Sequence, residues 1–259
     1  MKKIVKGIEP DVLQEFRDQN PYSDWKTGFK RNAGKYANSQ IRETLIHEQK
    51  GLCVYCEIDL KDGKGMALHD FRVEHFFPEN PKPADRKDDG INYALHWPNM
   101  FGCCTGGNSR DVVDPNERYS NPDYNCDVPK SNHNWTQELL NPLTDIPAFP
   151  PLFSFNEEGH MSISQECSST ARAKAQHTIS LLNLDSVKLR RFREAIIQKL
   201  REQISYISPD ALTPETLGEL ARSHLIPDQY GVISAFFSTI RWYLGPMAEE
   251  VLVQAGYDG

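Results

Sequence analysis

Four cysteines mark the part of the chain whose residue types could perform metal chemistry. Cys53 and Cys56 form a Cys-x-x-Cys pair, and Cys104 and Cys126 lie on either side of an insertion rich in Gly, Asn and Asp. Thiolates suit Zn²⁺, and structural zinc sites fill all four positions with protein ligands. The sequence therefore predicts one structural zinc held by these four cysteines.

The second cysteine pair leaves an alternative open. Cys103 and Cys104 are adjacent, and adjacent cysteines rarely ligate one ion, so we take Cys104 as the ligand and Cys103 as its alternative. His133 could also replace one thiolate, whereas Cys167 is expected to be a free thiol. The chain lacks the βαβ context of a thioredoxin-like redox pair, so a metal role is favoured.

An acid–histidine pair lies between the two cysteine pairs. Glu74 and His75 belong to residues 71–76, whose apolar–polar alternation predicts a strand. A carboxylate suits Mg²⁺, and histidine is the usual general base near neutral pH. Because neighbouring strand residues face opposite sides, both can serve one site only where the strand bends, and Pro78 favours a bend nearby. The pair predicts a second, reactive metal site.

Helices are predicted on both sides of this region. Apolar spacing predicts helices over residues 11–19 and 39–49, with Ser39 as the N-cap of the second and Gly51 as its C-terminal stop. After residue 168, a long stripe between 189 and 207 predicts another helix. Further helices are expected over 212–221, over 233–243 and from Pro246 onward.

Residues 51–155 lack helical periodicity and are rich in glycine and proline. Such a segment needs a metal to supply folding free energy. We therefore predict an α+β fold with a central, zinc-stapled, loop-rich core. The predicted organisation is an N-terminal helical segment over 1–50, the core over 51–155 and a C-terminal helical region over 156–259.

Composition is typical of a globular protein, with 39% hydrophobic residues and 25% charged residues in a chain of 259. No apolar stretch has the roughly 18 residues that a membrane helix needs. The N-terminus lacks the apolar core of a signal peptide. A cytoplasmic location without membrane association is expected, where thiols stay reduced and are available to a metal.

The charge of the chain is unevenly distributed. The net charge is −7, but residues 171–203 hold eight Lys and Arg against three acids, which is +5 and leaves −12 for the remainder. A solvated helix face is the first interpretation of this segment, and a nucleic-acid or partner surface is the alternative. Because phosphate binding requires positive charge, a partner subunit is expected to contribute much of the affinity for a nucleic acid.

The chain resembles the HNH endonucleases, which have a ββα-metal fold. The resemblance rests on residues 42–57, 73–78, 97–104, the Cys126-Asp127 pair with Lys130, and residues 140–143. Within that family it most resembles the PtuB-like branch, the HNH partners of PtuA-like ATPases in the Septu and retron anti-phage systems. The resemblance implies a metal-dependent nuclease that acts on nucleic acid, with DNA as the first substrate and tRNA as an alternative.

The resemblance also implies roles for individual residues. His75 would be the general base, Glu74 and Asp127 would hold a catalytic Mg²⁺ or Mn²⁺, and Asn99 would steady the motif and the base. Asn108 is the alternative to Asp127, since the insertion over 105–125 departs from the compact family pattern.

Two expectations remain beside these roles. Lys130 lies close to Asp127 in sequence and is a candidate for a phosphate contact, with a solvated lysine as the alternative. The competing function is a zinc-stapled binding or scaffold module whose acid–histidine pair is inactive.

Overall fold

The computed structural model describes residues 1–61, 71–106 and 123–259, and within them the fold is α+β, as predicted. The helices are α1 (Asp11–Gln19), α2 (Lys30–Asn32), α3 (Gly34–Glu48), α4 (Asp127–Lys130), α5 (Ser169–Leu181), α6 (Val187–Ser205), α7 (Pro214–Leu225), α8 (Phe237–Leu244) and α9 (Pro246–Gln254). The strands are β1 (Arg72–His75), β2 (Met100–Cys103), β3 (Phe153–Phe155) and β4 (Met161–Ile163).

A two-stranded antiparallel sheet forms the centre of the candidate site. β1 pairs with β2 so that Glu74 lies opposite Phe101 and His75 lies opposite Met100. The strand predicted over residues 71–76 is therefore confirmed. The short helix α4 follows along the chain and begins directly after Cys126. The hairpin and this helix give the β–β–α order implied by the resemblance.

The two long N-terminal helices were predicted, but the predicted start of α3 was wrong and the helical residues 25–32 were not predicted. α1 has the predicted limits, but α3 begins at Gly34, so the prediction of Ser39 as an N-cap was wrong. Ser39 lies inside the helix, where its hydroxyl donates to Glu43. The apolar stripe begins earlier, at buried Ala37, and burial of that side chain extends the helix upstream. Gly51 follows the end of α3, and its amide donates to the Ile46 carbonyl.

The C-terminal helices also follow the predicted stripe, with one helix starting late. α6 and α7 cover most of the predicted segments 189–207 and 212–221, with ends shifted by two to four residues, and Pro246 opens α9 at its first turn. Helix α8, expected from residue 233, begins at Phe237. The preceding residues pair with another part of the chain, since the Ile233 amide donates to the Lys50 carbonyl and the Phe236 amide donates to the Glu57 carbonyl. Long-range hydrogen bonds there outweigh helical spacing.

One hydrophobic core contains side chains from all three predicted segments, among them Leu13, Tyr55 and Leu189. A second core lies among α6, α7, α8 and α9 and includes Leu200 and Phe237. The segments thus pack on a shared core, and the boundaries at residues 50 and 155 stay predictions. Within the described ranges, no helix is long and apolar enough to cross a membrane.

Candidate metal centre and active site

The Cys-x-x-Cys pair forms a tight turn that returns both thiols to one side. The Cys53 amide donates to the Ile58 carbonyl at 2.9 Å, and the Glu57 amide donates to the Cys53 carbonyl at 3.1 Å. The Cys104 amide also donates to Cys53 Sγ, at 3.3 Å. Backbone N–H groups that point at sulfur favour a negative charge there, so this turn is suited to hold a thiolate.

The four predicted cysteines converge. The Sγ atoms of Cys53, Cys56, Cys104 and Cys126 all lie within 4.8 Å of one another. Separate pairs are 3.6 Å apart for Cys56 and Cys104, 3.7 Å for Cys104 and Cys126, and 4.0 Å for Cys53 and Cys126. A tetrahedral zinc with Zn–S bonds of about 2.3 Å separates its sulfurs by about 3.8 Å. The quartet therefore has the dimensions of a zinc site.

The chemistry of the quartet also fits a cation. Burial raises the pKa of the Cys126 thiol well above its usual value and does the same for Cys56. Four thiols in mutual contact, three of them buried, cannot all ionise unless a positive charge compensates them. A zinc ion supplies that charge and favours the thiolates.

Cys103 lies next to the quartet but is not one of its members. Its Sγ is 3.8 Å from Cys53 Sγ, while its backbone belongs to β2, where it pairs with Arg72. Cys104, just past the end of β2, is the cysteine that joins the compact group. The geometry thus favours Cys104 over the alternative that the sequence left open.

The insertion between Cys104 and Cys126 begins and ends at neighbouring points. The Asn125 amide donates to the Gly106 carbonyl at 3.1 Å. Gly106 has a φ of +60°, and a Cβ there would lie 2.3 Å from the Asn125 carbonyl oxygen, so this contact requires glycine. Closing the ends of the insertion lets the two cysteines meet despite the 21 residues between them. Asn108, the alternative metal ligand, lies outside the described residues.

Glu74 is a buried carboxylate with two partners on one of its oxygens. The Tyr55 hydroxyl donates to Oε1 at 3.1 Å, and the Lys130 ammonium lies 2.8 Å from the same atom. These contacts fix the carboxylate through Oε1 and leave Oε2 as the oxygen that could bind a metal ion. Sequence analysis missed the role of Tyr55, although its place between Cys53 and Cys56 could have suggested it.

Lys130 is directed into the protein rather than toward a substrate. Its side chain is 1% exposed, and Nζ donates to the His75 carbonyl at 2.8 Å as well as pairing with Glu74. A buried ammonium is stable only with such partners. Its burial argues against the direct phosphate contact predicted from the sequence, and its observed contacts brace the end of β1.

Asp127 is a largely buried carboxylate with an unpartnered oxygen. Its Oδ1 is buried without a hydrogen-bond partner among the described residues, while Oδ2 is 3.4 Å from Arg72. Burial, and next the charge of Glu74, raise the pKa of Asp127 to about 7, although Arg72 opposes this. A largely buried carboxylate with an unpartnered oxygen, close to a second buried carboxylate, fits a hard divalent cation.

His75 is buried in its neutral form. Burial, with a smaller effect of Lys130, lowers the pKa of His75 to about 4, although the bond to the Ala94 carbonyl opposes this. The Nε2 atom is 3.0 Å from that carbonyl oxygen, which can only accept, so Nε2 carries the proton. Nδ1 then keeps its lone pair, which is what a general base needs. The Trp25 ring packs edge-on against the imidazole, with centroids 6.2 Å apart.

Asn99 fastens the segment that follows His75. Its Oδ1 accepts from the Phe77 amide at 2.7 Å, and its Nδ2 donates to the carbonyls of Phe77 and Tyr93 at 2.9 and 2.8 Å. Asn99 is itself buried, so these bonds are protected from water. The side chain acts on the chain around His75, which is a positioning role of the kind that the resemblance implied.

Glu74, His75 and Asp127 line one open groove of about 930 Å³. Asn99 and Lys130 are buried and contact nearby residues, Lys130 at Glu74 and the His75 carbonyl and Asn99 at Phe77. Across the described part of the chain, the cysteine quartet is the one group of three or more His, Cys, Asp or Glu whose ligand atoms are so closely gathered. The three groove residues are more widely spaced than that quartet, so their assignment as a catalytic site stays a prediction.

The comparison with known proteins agrees with this arrangement. No family model matches the chain. The chain is 28% identical over 217 residues to an Escherichia coli protein described as "Retron Ec83 putative HNH endonuclease", with 76% of this chain and 79% of the relative covered. Together with the cysteine quartet and the hairpin that carries Glu74 and His75, this similarity supports the resemblance of the chain to the HNH endonucleases.

Proposed function

We propose that the chain is a metal-dependent endonuclease that hydrolyses phosphodiester bonds of nucleic acid, with DNA as its first substrate. The observation that supports this most is the state of His75. Its imidazole is neutral, its Nε2 proton is committed to the Ala94 carbonyl, and it lines the same groove as Glu74 and Asp127. A fixed base beside two carboxylates is what hydrolysis of a phosphodiester requires.

In the proposed reaction, Nδ1 of His75 accepts a proton from a water molecule. The water oxygen forms a bond to phosphorus, and the bond from phosphorus to the leaving ester oxygen breaks. A Mg²⁺ or Mn²⁺ ion held by Glu74 and Asp127 would neutralise charge on the phosphate and on the leaving oxygen. The Lys130 and Asn99 contacts keep the backbone at His75 fixed while the proton moves.

The proposed zinc has a different role from this catalytic ion. All four of its positions are filled by Cys53, Cys56, Cys104 and Cys126, which leaves no open position for water. The zinc would hold together the turn at residue 53, the end of β2 and the start of α4. It would thereby fix Asp127, which directly follows Cys126, relative to the hairpin.

The metal assignment predicts which substitutions should abolish cleavage. We expect Asp127→Asn to reduce cleavage of DNA at least 100-fold in Mg²⁺ or Mn²⁺, because the substitution removes a charged ligand. We also expect a chelator to stop cleavage by the unsubstituted protein. Asp89→Asn, at an exposed position, is the control. Gel assays with Asn108→Ala in parallel decide between the two candidate ligands. Loss of cleavage only with Asn108→Ala would contradict the assignment of Asp127.

A partner ATPase is the second part of the proposal. The similar Escherichia coli protein is named for a retron, and the PtuB-like resemblance implies a PtuA-like ATPase. A chain of net charge −7 is expected to bind nucleic acid weakly on its own, so a larger subunit would gather the substrate and restrain the nuclease in anti-phage defence.

The partner prediction can be checked by purifying the chain alone and together with its encoded neighbour. We expect the neighbour to co-purify and DNA binding by the complex to be at least 10-fold tighter at about 150 mM salt, because more cations face the phosphates. The molecular mass in solution, the affinity for DNA and the cleavage of DNA and tRNA are measured for the chain alone and for the co-purified sample. A solitary monomer that binds and cuts as well as any complex would rule out this part of the proposal. Cleavage of tRNA but not DNA would instead favour the alternative substrate.

A further inference from the structure

Residues 25–42, which we call the basic arm, form the most positively charged stretch beside the groove. They contain five cations, Lys26, Lys30, Arg31, Lys35 and Arg42, and no Asp or Glu. The arm is therefore +5 in a chain of −7, which leaves −12 for all other residues. Residues 171–203 have the same net charge in the sequence, but only residues 25–42 combine five cations with a complete absence of acids.

Two aromatic side chains anchor the arm and determine which of its faces is exposed. Trp25 and Phe29 are buried one helical turn apart, and their rings stack with centroids 5.0 Å apart. Lys26, Lys30 and Arg31 fall on the opposite face and are exposed. Because Trp25 also packs against His75, the arm is held directly to the candidate active site.

Helix α3 continues the arm with one face on the core and another on the groove. Ala37 and Ile41 are buried, whereas Lys35 and Arg42, seven residues apart and so on one helical face, line the groove. The Arg42 guanidinium donates to the Phe71 carbonyl at 3.0 Å and stacks on the Phe71 ring. Lys35 is an exposed cation on the same helical face as this arginine.

The groove itself is positively charged. Six cationic side chains line it, namely those of the basic arm and Arg72, against three carboxylates, Glu74, Glu79 and Asp127. Its formal charge is thus +3 even though the whole chain is acidic. Among the described residues, Lys26, Lys30, Arg31 and Lys35 form no ion pair within 4.0 Å.

The basic segment over 171–203 differs in this respect. Its Arg193 is 2% exposed and donates to the carbonyls of Gly159 and Leu184. Four more of its cations have protein acceptors or ion pairs, namely Arg172, Lys174, Arg190 and Arg201. Most of that positive charge therefore serves the fold itself, which leaves less of it for phosphate.

We propose that the basic arm binds the phosphodiester backbone of the nucleic acid and directs it across the groove to Glu74, His75 and Asp127. This inference rests on the proposed nuclease function and assigns its substrate-binding surface. The arm and the carboxylates line the same groove, so a backbone bound to the arm lies on the surface that carries the candidate site. Among the described residues, Lys30 and Lys35 have no ion pair within 4.0 Å to give up on binding, and cations that contact phosphates gain from release of counterions by the nucleic acid.

The test is a triple substitution, Lys30→Gln, Arg31→Gln and Lys35→Gln, in the full-length chain that also carries His75→Gln, so that substrate is bound without being cut. The matched control has Arg191→Gln, Lys199→Gln and Arg201→Gln, which removes three exposed cations from α6. Binding of duplex DNA and of duplex RNA of the same sequence is measured by fluorescence anisotropy from about 20 to 200 mM salt. Melting temperatures show whether each variant is folded.

We expect the arm variant to bind about 10-fold or more weakly than its parent, and its salt dependence to be shallower by about 2–3 in log–log slope, since each phosphate contact contributes about 0.9. The α6 variant should bind nearly as its parent does. Equal losses of affinity for DNA and RNA would show that the arm binds the phosphodiester backbone that both share. A loss of affinity for only one of them would identify that nucleic acid as the substrate. Equal binding by both triple variants, or no binding by the parent at low salt, would overturn the proposal.

Cleavage by the chain with an intact His75 separates this inference from the proposed function. If that chain cuts nucleic acid and the arm substitutions leave binding and cleavage unchanged, the basic arm is excluded while the nuclease function stands. If that chain cuts nothing but the arm substitutions still weaken binding, the surface is correct and the nuclease function fails.

Discussion

Replacement of His75 by alanine is expected to reduce cleavage by about 10²–10⁴-fold, the usual contribution of a general base. The structure gives the physical reason, because Nε2 is bound to the Ala94 carbonyl and Nδ1 retains the lone pair that would accept the proton from water. Rates with DNA in Mg²⁺ and Mn²⁺ measure the effect, and zinc content should remain one per chain. Undiminished cleavage would remove His75 from the mechanism.

His75 is buried against Trp25, so its removal could also disturb folding. His75→Gln is the informative second variant, because glutamine retains an N–H donor for the Ala94 carbonyl but cannot act as a base at neutral pH. It should be as inactive as the alanine variant, with a melting temperature closer to that of the unsubstituted protein. His177→Ala, at an exposed position on α5, is the control that should leave both properties unchanged.

Loss of one zinc ligand should have the largest effect on stability. Binding of a structural zinc contributes about 10–16 kcal/mol in small zinc domains, comparable to the whole stability of a typical domain at about 5–15 kcal/mol. We therefore expect Cys126→Ser to lose most of its zinc and to be largely unfolded around the site at 25 °C. Elemental analysis and thermal unfolding test this. Unchanged zinc content and melting temperature would contradict the quartet.

Two other cysteines serve as controls for this experiment. Cys167 is buried but lies outside the quartet, so Cys167→Ser should retain one zinc per chain and a nearly unchanged melting temperature. Cys103→Ser should also retain zinc, whereas Cys104→Ser should lose it, because Cys104 Sγ is the one gathered with the others. The opposite result for Cys103 and Cys104 would show that the adjacent thiol is the ligand.

Local sequence patterns determined the elements of the fold where one face of an element packs on the core. The limits of α1, the strand β1 and the opening of α9 at Pro246 follow from apolar spacing and from the geometry of proline. The start of α8 could not be predicted in this way. Residues 233–236 bond to backbone atoms of Lys50 and Glu57, and such distant partners leave no local pattern.

The residue types of the candidate site were likewise available from the sequence alone. Cysteine spacing, the Glu74-His75 pair and the resemblance carried by residues 42–143 indicated a zinc site beside a catalytic one. The sequence could not decide between Cys103 and Cys104, nor whether Cys126 reached the others across the insertion. The first question depended on the position of Cys104 just past the end of β2, and the second on the Gly106–Asn125 contact, which brings the ends of the insertion together.

Tertiary structure alone decided how charge is used. Lys130 and Arg193 are as cationic in sequence as Lys30 and Lys35, yet the first two are buried on carbonyl oxygens and the last two are exposed at the groove. Residue type determines whether a side chain carries charge. Packing determines whether that charge is neutralised inside the protein or remains available to a phosphate, because burial requires a partner and exposure does not.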